Sequence, residues 1–158
     1  MQRYPANEED WEILLHRQNT ILTDLIGSVS PVLLVTGEFK MGDFPDMPPT
    51  LMAESLKPFS FTMAEAPIDL HSFSPGQYDK GHTYTPMFTE QIWQGHKFDE
   101  VLKDIAKWKL AAFFVSIQNK CIVSPYDGGV DIILKDSETR DFYKAKYAEW
   151  LSSREDGF

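Results

Sequence analysis

Apolar residues recur at three- and four-residue steps near the N-terminus, which predicts an amphipathic helix. The stripe consists of Trp11, Leu14, Leu15, Gln18, Ile21, Leu22 and Leu25. Asn7 can cap the start of this helix, and Gly27 can end it because glycine accepts a left-handed backbone without strain. The apolar, β-branched run 31–37 is bounded by Pro31 and Gly37, and it therefore predicts a buried strand.

The C-terminal half of the chain alternates between helical and extended patterns. A second helix is predicted over 97–107, with a buried stripe of Phe98, Val101, Leu102, Ile105 and Trp108. Strands are then predicted at 111–117, 121–124 and 130–134, joined by tight turns at 119–120 and 127–129. Asp136 or Ser137 can cap a last helix, which places the following side chains on one broad face: Phe142, Tyr143, Tyr147, Trp150 and Leu151. The sequence predicts one α+β domain over 1–158, mostly antiparallel sheet with helices packed on one face, ending in a three-stranded meander and a helix.

Residues 38–96 form a long insert in this pattern and hold seven of the ten prolines. Between 41 and 96 there are seven acidic residues and only two lysines, Lys57 and Lys80. Short strands are expected at 59–63 and 68–73, and the remainder is expected to be loop. Long loops in compact domains usually bind something or lie against the core.

Charge narrows the classes of partner. The net charge of −9 repels phosphate backbones, so nucleic-acid binding is disfavoured and a basic protein partner is favoured. A plain solubility effect explains the same charge. One cysteine, Cys121, and an N-terminus without an apolar signal core predict a cytoplasmic protein without a membrane span. The oligomeric state stays open.

Candidate catalytic chemistry is sparse. His71 and His82 lie near Asp69 and Asp79 in the chain, but no nucleophile elbow accompanies them. Cys121 is expected to be a buried core residue. The carboxylates of Asp127, Asp131 and Glu138 could hold a hard cation, although roles in a turn and on the surface are favoured. No metal, cofactor or phosphate-binding loop is predicted.

The run 124–133, Ser-Pro-Tyr-Asp-Gly-Gly-Val-Asp-Ile-Ile, precedes Lys135-Asp136 and the spaced Tyr143, Tyr147 and Trp150. This stretch resembles an uncharacterised bacterial domain family found near Rhs (rearrangement hotspot) polymorphic toxin loci. The resemblance covers about the last forty residues. The motif positions are Tyr126, Asp127, Gly128, Gly129 and Asp131, with a turn one residue shorter than is usual in the family.

The resemblance implies an association with toxin delivery, and a small acidic protein without catalytic groups is similar to the immunity half of such a pair. The expected partner is therefore a cognate toxin with a basic surface. The expected contact residues lie in the insert: Asp43, Phe44, Asp46, Glu65, Asp69, Tyr78, Asp79 and Tyr84. Two alternatives remain, an enzyme that uses His71 or His82, and a non-catalytic ligand-binding or scaffold domain.

Overall fold

A computed structural model describes residues 5–41, 53–127 and 129–151. The helices in these ranges are α1 (Glu8–Ile26), α2 (Leu70–Phe73), α3 (Asp99–Ala106) and α4 (Ser137–Lys146). The strands are β1 (Ser30–Lys40), β2 (Thr62–Met63), β3 (Ile68–Asp69), β4 (Thr83–Trp93), β5 (Phe113–Ser116), β6 (Cys121–Tyr126) and β7 (Gly129–Ile133). Short 3-10 turns occupy Glu54–Leu56 and Ala148–Trp150. No helix within these ranges is long and apolar enough to cross a membrane.

All the strands join one antiparallel sheet in the order β2-β4-β1-β5-β6-β7, and β3 pairs with β4 beyond the end of β2. The predicted α+β class is confirmed, with the C-terminal meander β5-β6-β7 followed by α4. The longest ladder joins β1 to β4 over eleven residue pairs, from Ser30–Trp93 to Lys40–Thr83. Because β1 and β4 are far apart in sequence, this ladder ties the N-terminal part of the chain to the insert.

Alternation along the strands separates a helix-covered face from a more open face. Val32, Leu34, Phe114 and Val123 are buried and pack with α1 and α3 in one apolar cluster. Their neighbours in sequence, such as Leu33, point to the opposite face and are only half-buried. The period of two residues in each strand explains why one face carries the core.

Both ends of α1 are satisfied by side chains. At the start, the Asp10 backbone N–H donates to Asn7 Oδ1 at 2.9 Å, as predicted for a capping residue. At the end, Gly27 has φ +101° and donates its N–H to the Thr23 carbonyl at 2.8 Å. Asn119 Nδ2, from the turn between β5 and β6, then donates to the last carbonyls of the helix, those of Leu25 and Ile26. The meander therefore completes the C-terminal cap of α1.

Strand β4 lies inside the stretch that the sequence pattern assigned to loop. Pro86 obscured it, because proline cannot donate to a ladder and usually ends a strand. The Pro86 carbonyl accepts from the Ala64 N–H at 2.9 Å, on the side of β4 away from β1. A residue's N and C=O point to the same side of a strand, so the missing N–H also faces that side and leaves the β1 ladder intact. The proline falls between the residues that pair with β2 and those that pair with β3.

Three further predictions are wrong in detail. The expected strand 68–73 is a strand only at Ile68–Asp69, because Asp69 Oδ1 then accepts the His71 N–H and starts helix α2. Trp108 lies beyond α3 and is 72% exposed, so it does not belong to the buried stripe. Phe142 is also exposed, because only one side of α4 packs against α1.

Candidate functional site: an aromatic cleft at one end of the sheet

The candidate site arises because β5 is shorter than its neighbours. β1 extends to Lys40 and β6 extends to Tyr126, but β5 begins only at Phe113. The segment before β5 comes from the end of α3 and is not part of a strand. The last residues of β1 and of β6 therefore have no β5 residues between them. A cleft of about 940 Å³ occupies that position.

Aromatic side chains from five different segments line this aromatic cleft: Phe39, Tyr84, Trp108, Phe113 and Tyr126. Phe39 and Tyr84 contact each other across the β1–β4 ladder, with their ring centroids 4.7 Å apart. Aromatic rings with polar edges are typical of binding surfaces, because they bring large contact area at low entropic cost. The arrangement is therefore suited to a ligand with both a flat and a polar part.

Trp108 reaches the cleft from an unusual backbone conformation. After α3 ends, the Lys109 N–H donates to the Asp104 carbonyl at 2.9 Å and the Trp108 N–H donates to the Ile105 carbonyl at 3.0 Å. This pair of bonds is the Schellman motif, in which the residue at the Trp108 position is left-handed and is usually glycine. Trp108 has φ +59°, a conformation that costs a residue with a side chain about 1–2 kcal/mol.

The cost of this conformation is not offset by burial, because 72% of Trp108 is exposed. A large aromatic residue in a position that favours glycine, with most of its surface in water, contributes little to folding. Strained and exposed residues of this kind are concentrated at binding and catalytic sites. Trp108 is thus the residue of the cleft that is hardest to explain by stability alone.

The polar groups of the cleft are predominantly acidic. Carboxylates come from Glu54, Asp104 and Asp127, whereas Lys109 is the one base among the lining residues that the structure describes. Lys109 Nζ lies 4.0 Å from Asp104 Oδ1, at the outer limit of an ion pair, and the Asp104 side chain is 17% exposed. The cleft therefore carries a net negative charge next to aromatic rings.

The two tyrosines of the cleft each lie over a glycine: Tyr84 over Gly37, and Tyr126 over Gly129. The second contact joins two positions of the C-terminal motif. A Cβ atom at Gly37 would lie 2.1 Å from Tyr84 Cε2, and one at Gly129 would lie 2.8 Å from Tyr126 Oη. Both positions therefore exclude a side chain. Burial raises the pKa of Tyr84, and burial together with Asp131 and Asp127 raises the pKa of Tyr126, so both hydroxyls stay protonated and can donate at neutral pH.

The predicted contact residues of the insert are distributed around this end of the sheet. Tyr84 lines the cleft, and Ile68 and Asp69 pair with Tyr84 and Thr83 along the outer side of β4. Glu65, Asp69 and Asp79 are exposed, and Tyr78 is half-buried. Four other predicted positions lie outside the described residues: Asp43, Phe44, Asp46 and Gly128.

The carboxylates of residues 53–96 face solvent. Glu54 pairs with Lys57 three residues later, and this is the one ion pair within residues 53–96. Glu65 and Asp69 instead accept backbone N–H groups, from Ala66 and His71. Their charge is consequently available to a partner.

The histidines do not form a base with an orienting carboxylate in this region. His71 Nδ1 lies 2.7 Å from the Tyr78 carbonyl oxygen, and Asp69 contacts the His71 backbone but not its ring. Among the described residues, a histidine ring meets a carboxylate at His96 and Asp99, where Nδ1 and Oδ2 are 3.0 Å apart and the His96 side chain is 70% exposed. No group of three metal-ligating side chains is found in the described ranges.

Cys121 lies in β6 and is 3% exposed, and its Sγ contacts the Leu25 carbonyl oxygen at 3.7 Å. Burial raises the pKa of the Cys121 thiol, which keeps it protonated. A second, polar cavity of about 440 Å³ lies near Cys121, between the C-terminal end of α1 and α4. A protonated thiol beside it is a core group, as the sequence predicted.

The aromatic cleft was missed at the sequence level because its residues are scattered over the chain. One local signal was present: Trp108 lies between two lysines, Lys107 and Lys109, at the end of the predicted helix, and this segment contains no glycine. A helix that ends without glycine but with a large aromatic residue between two lysines does not fit a buried stripe.

The fold and the cleft define a small α+β domain, built on a single antiparallel sheet with an acidic, aromatic cleft at one end. Within that class, the chain belongs to an uncharacterised family, since the family model Domain of unknown function (DUF3885) matches residues 1–155. The match confirms membership in an uncharacterised family over nearly the whole chain, and the association with Rhs loci stays a prediction. No curated protein and no solved structure matches the chain.

Proposed function

We propose that this protein is an immunity protein, which binds a cognate bacterial toxin and neutralises it by direct contact. The observation that carries the proposal is the exposure of the insert carboxylates: Glu65, Asp69 and Asp79 all face solvent without a basic partner within residues 53–96. An acidic surface of this kind attracts a basic protein and accelerates encounter with it.

The class of partner follows from the charge of the whole chain and the resemblance of the C-terminal motif. A net charge of −9 disfavours nucleic acid, and toxins that act on nucleic acid or nucleotides need basic clefts. The Rhs-like motif connects such a partner with competition between bacteria. The immunity protein then inhibits by occupying the basic cleft of the toxin, which needs no catalytic group of its own and takes place in the cytoplasm.

The test begins with the product of the gene immediately upstream, which the proposal expects to be a toxin. Isothermal titration of the two purified proteins should show a one-to-one complex whose affinity falls as salt is raised. The toxin's activity should fall in proportion to the complex formed. A neighbour that is a housekeeping enzyme, or a toxin that neither binds nor loses activity, would refute the proposal.

A matched pair of triple variants separates the insert surface from general charge. The first variant neutralises the insert acids by Glu65→Gln, Asp69→Asn and Asp79→Asn, and an asparagine at position 69 can still cap α2. The control neutralises three exposed acids elsewhere, by Glu12→Gln, Glu138→Gln and Glu149→Gln. Both change the net charge equally, so the insert variant should weaken binding about tenfold or more and reduce the salt dependence, while the control stays within about twofold. Equal effects would show that the insert is not the contact surface.

A further inference from the structure

We propose that the aromatic cleft receives the guanidinium group of an arginine side chain from the partner protein, and that Trp108 is the main anchor of that contact. That the arginine belongs to a toxin rests on the proposed function. The chemistry of the cleft itself rests on the geometry of its residues.

Charge complementarity selects a cation as the occupant. The lining residues bring three carboxylates, from Glu54, Asp104 and Asp127. Lys57 pairs with Glu54 and Lys109 lies 4.0 Å from Asp104, which leaves Asp127 without a basic partner among the described residues. A carboxylate ligand would be repelled by this surface. A cationic head group can instead donate hydrogen bonds to these acids, and such charge-assisted bonds are stronger than neutral ones.

The aromatic rings select the planar guanidinium over other cations. Tryptophan is the strongest of the aromatic residues in cation–π contacts, and arginine also stacks by its flat face. The Trp108 side chain is available for this purpose because most of its surface, 72%, is exposed. Tyr84 and Tyr126 line the same cleft with protonated hydroxyls.

Backbone conformation singles out Trp108 within the cleft. The other lining rings lie on β1, β4, β5 and β6, whereas Trp108 has φ +59° at a position suited to glycine. The two hydrogen bonds that close α3 hold the Trp108 backbone in this conformation, and the Trp108 side chain lines the cleft. Because these bonds are backbone bonds, a change of side chain leaves them in place.

The first experiment probes the cleft without any toxin. The probe is N-acetyl-arginine methylamide, and the control ligand is N-acetyl-citrulline methylamide, which has the same shape without the charge. Both are titrated into ¹⁵N-labelled protein while the four indole N–H signals are followed, with Trp108 assigned from the loss of its signal in Trp108→Phe. We expect the Trp108 indole to shift with millimolar affinity for the arginine probe and at least about tenfold less affinity for the citrulline probe.

The second experiment uses the toxin complex. Trp108→Ala should weaken the complex about thirtyfold or more, as expected for a hot-spot residue, whereas the control Phe142→Ala should change it less than about twofold. Phe142 is a suitable control because it is an aromatic residue of similar exposure, 63%, on α4. Dispersion of the ¹⁵N spectrum shows that each variant is folded.

The outcomes distinguish the two proposals. If the toxin binds but Trp108→Ala and Phe142→Ala behave alike, the cleft inference is wrong and the immunity function stands. If the arginine probe shifts Trp108 but no toxin binds, the immunity function is wrong and the cleft inference stands. Equal shifts with arginine and citrulline, or no shift with either probe, would overturn the cleft as an arginine site.

Discussion

Substitution of Trp108 by glycine and by alanine should produce an unusual order of stability. Both variants lose the same small buried part of the indole, because the wild-type side chain is already 72% exposed. They differ in the backbone, since alanine keeps the left-handed cost of about 1–2 kcal/mol at φ +59° and glycine does not. The greater flexibility of glycine in the unfolded chain reduces this advantage of the glycine variant by about 0.4–1 kcal/mol. Trp108→Gly should therefore be more stable than Trp108→Ala by about 1 kcal/mol.

An exposed residue within α1 supplies the control of opposite sign. Ile13 is 45% exposed inside that helix, where glycine is about 1 kcal/mol worse than alanine. The four variants are Trp108→Gly, Trp108→Ala, Ile13→Gly and Ile13→Ala. Urea unfolding followed by circular dichroism measures the difference in stability between glycine and alanine at each position, and each difference should also appear as a shift of about 2–4 °C in Tm. If alanine is as stable as glycine at position 108, then Trp108 does not have a left-handed backbone and the argument for its special role fails.

Three further predictions test the fold. Gln18 is 1% exposed, and its side-chain N and O atoms have no hydrogen-bond partner among the described residues. Gln18→Met should therefore raise the free energy of unfolding, measured in urea, by about 1–3 kcal/mol. A loss of stability would show that the Gln18 side chain has a hydrogen-bond partner. Burial acts to raise the pKa of Asp24, but hydrogen bonds from the side chains of Lys146 and Tyr147 outweigh burial and hold that pKa below its ordinary value. The stabilisation from the ionised Asp24 is complete at neutral pH and is lost as the pH falls through the pKa of Asp24 in the folded protein. Asp24→Asn should therefore be less stable than wild type by about 1 kcal/mol at pH 7, and the difference in stability should shrink in acid. A difference in stability that does not depend on pH would contradict this prediction. Gly37→Ala places a Cβ within 2.1 Å of the Tyr84 ring and should cost about 1–3 kcal/mol, most of which the double variant with Tyr84→Ala should recover if the clash is real.

The local patterns of the chain predicted the elements whose formation depends on neighbours in sequence. The N-cap at Asn7, the end of α1 at Gly27 and the N-cap at Asp136 could all be predicted from the sequence. Each depends on the chemistry of residues within one helical turn. The meander was also readable from its two-residue alternation. These features need no knowledge of tertiary contacts.

Features that depend on distant contacts were not predicted. Strand β4 is a strand because β1 pairs with all of its length, and its own sequence contains a proline. The aromatic cleft exists because β5 is too short to separate β1 from β6, a length difference that no local pattern reports. Trp108 shows the same difficulty, since a helical period correctly places it near α3 but cannot tell that the helix has already ended.

The cover that β2 and β3 form on the outer edge of β4 has a consequence for how copies of this chain behave at high concentration. An eleven-residue strand with a free outer edge would be a template on which another chain could add strands and grow into a fibre. Here β2 pairs with Met87 and Phe88, β3 pairs with Thr83 and Tyr84, and the Pro86 carbonyl between them accepts the Ala64 N–H, so this part of the edge is already occupied. Loss of β2 and β3 would expose the whole edge and promote aggregation, even where β1 and β4 remain paired.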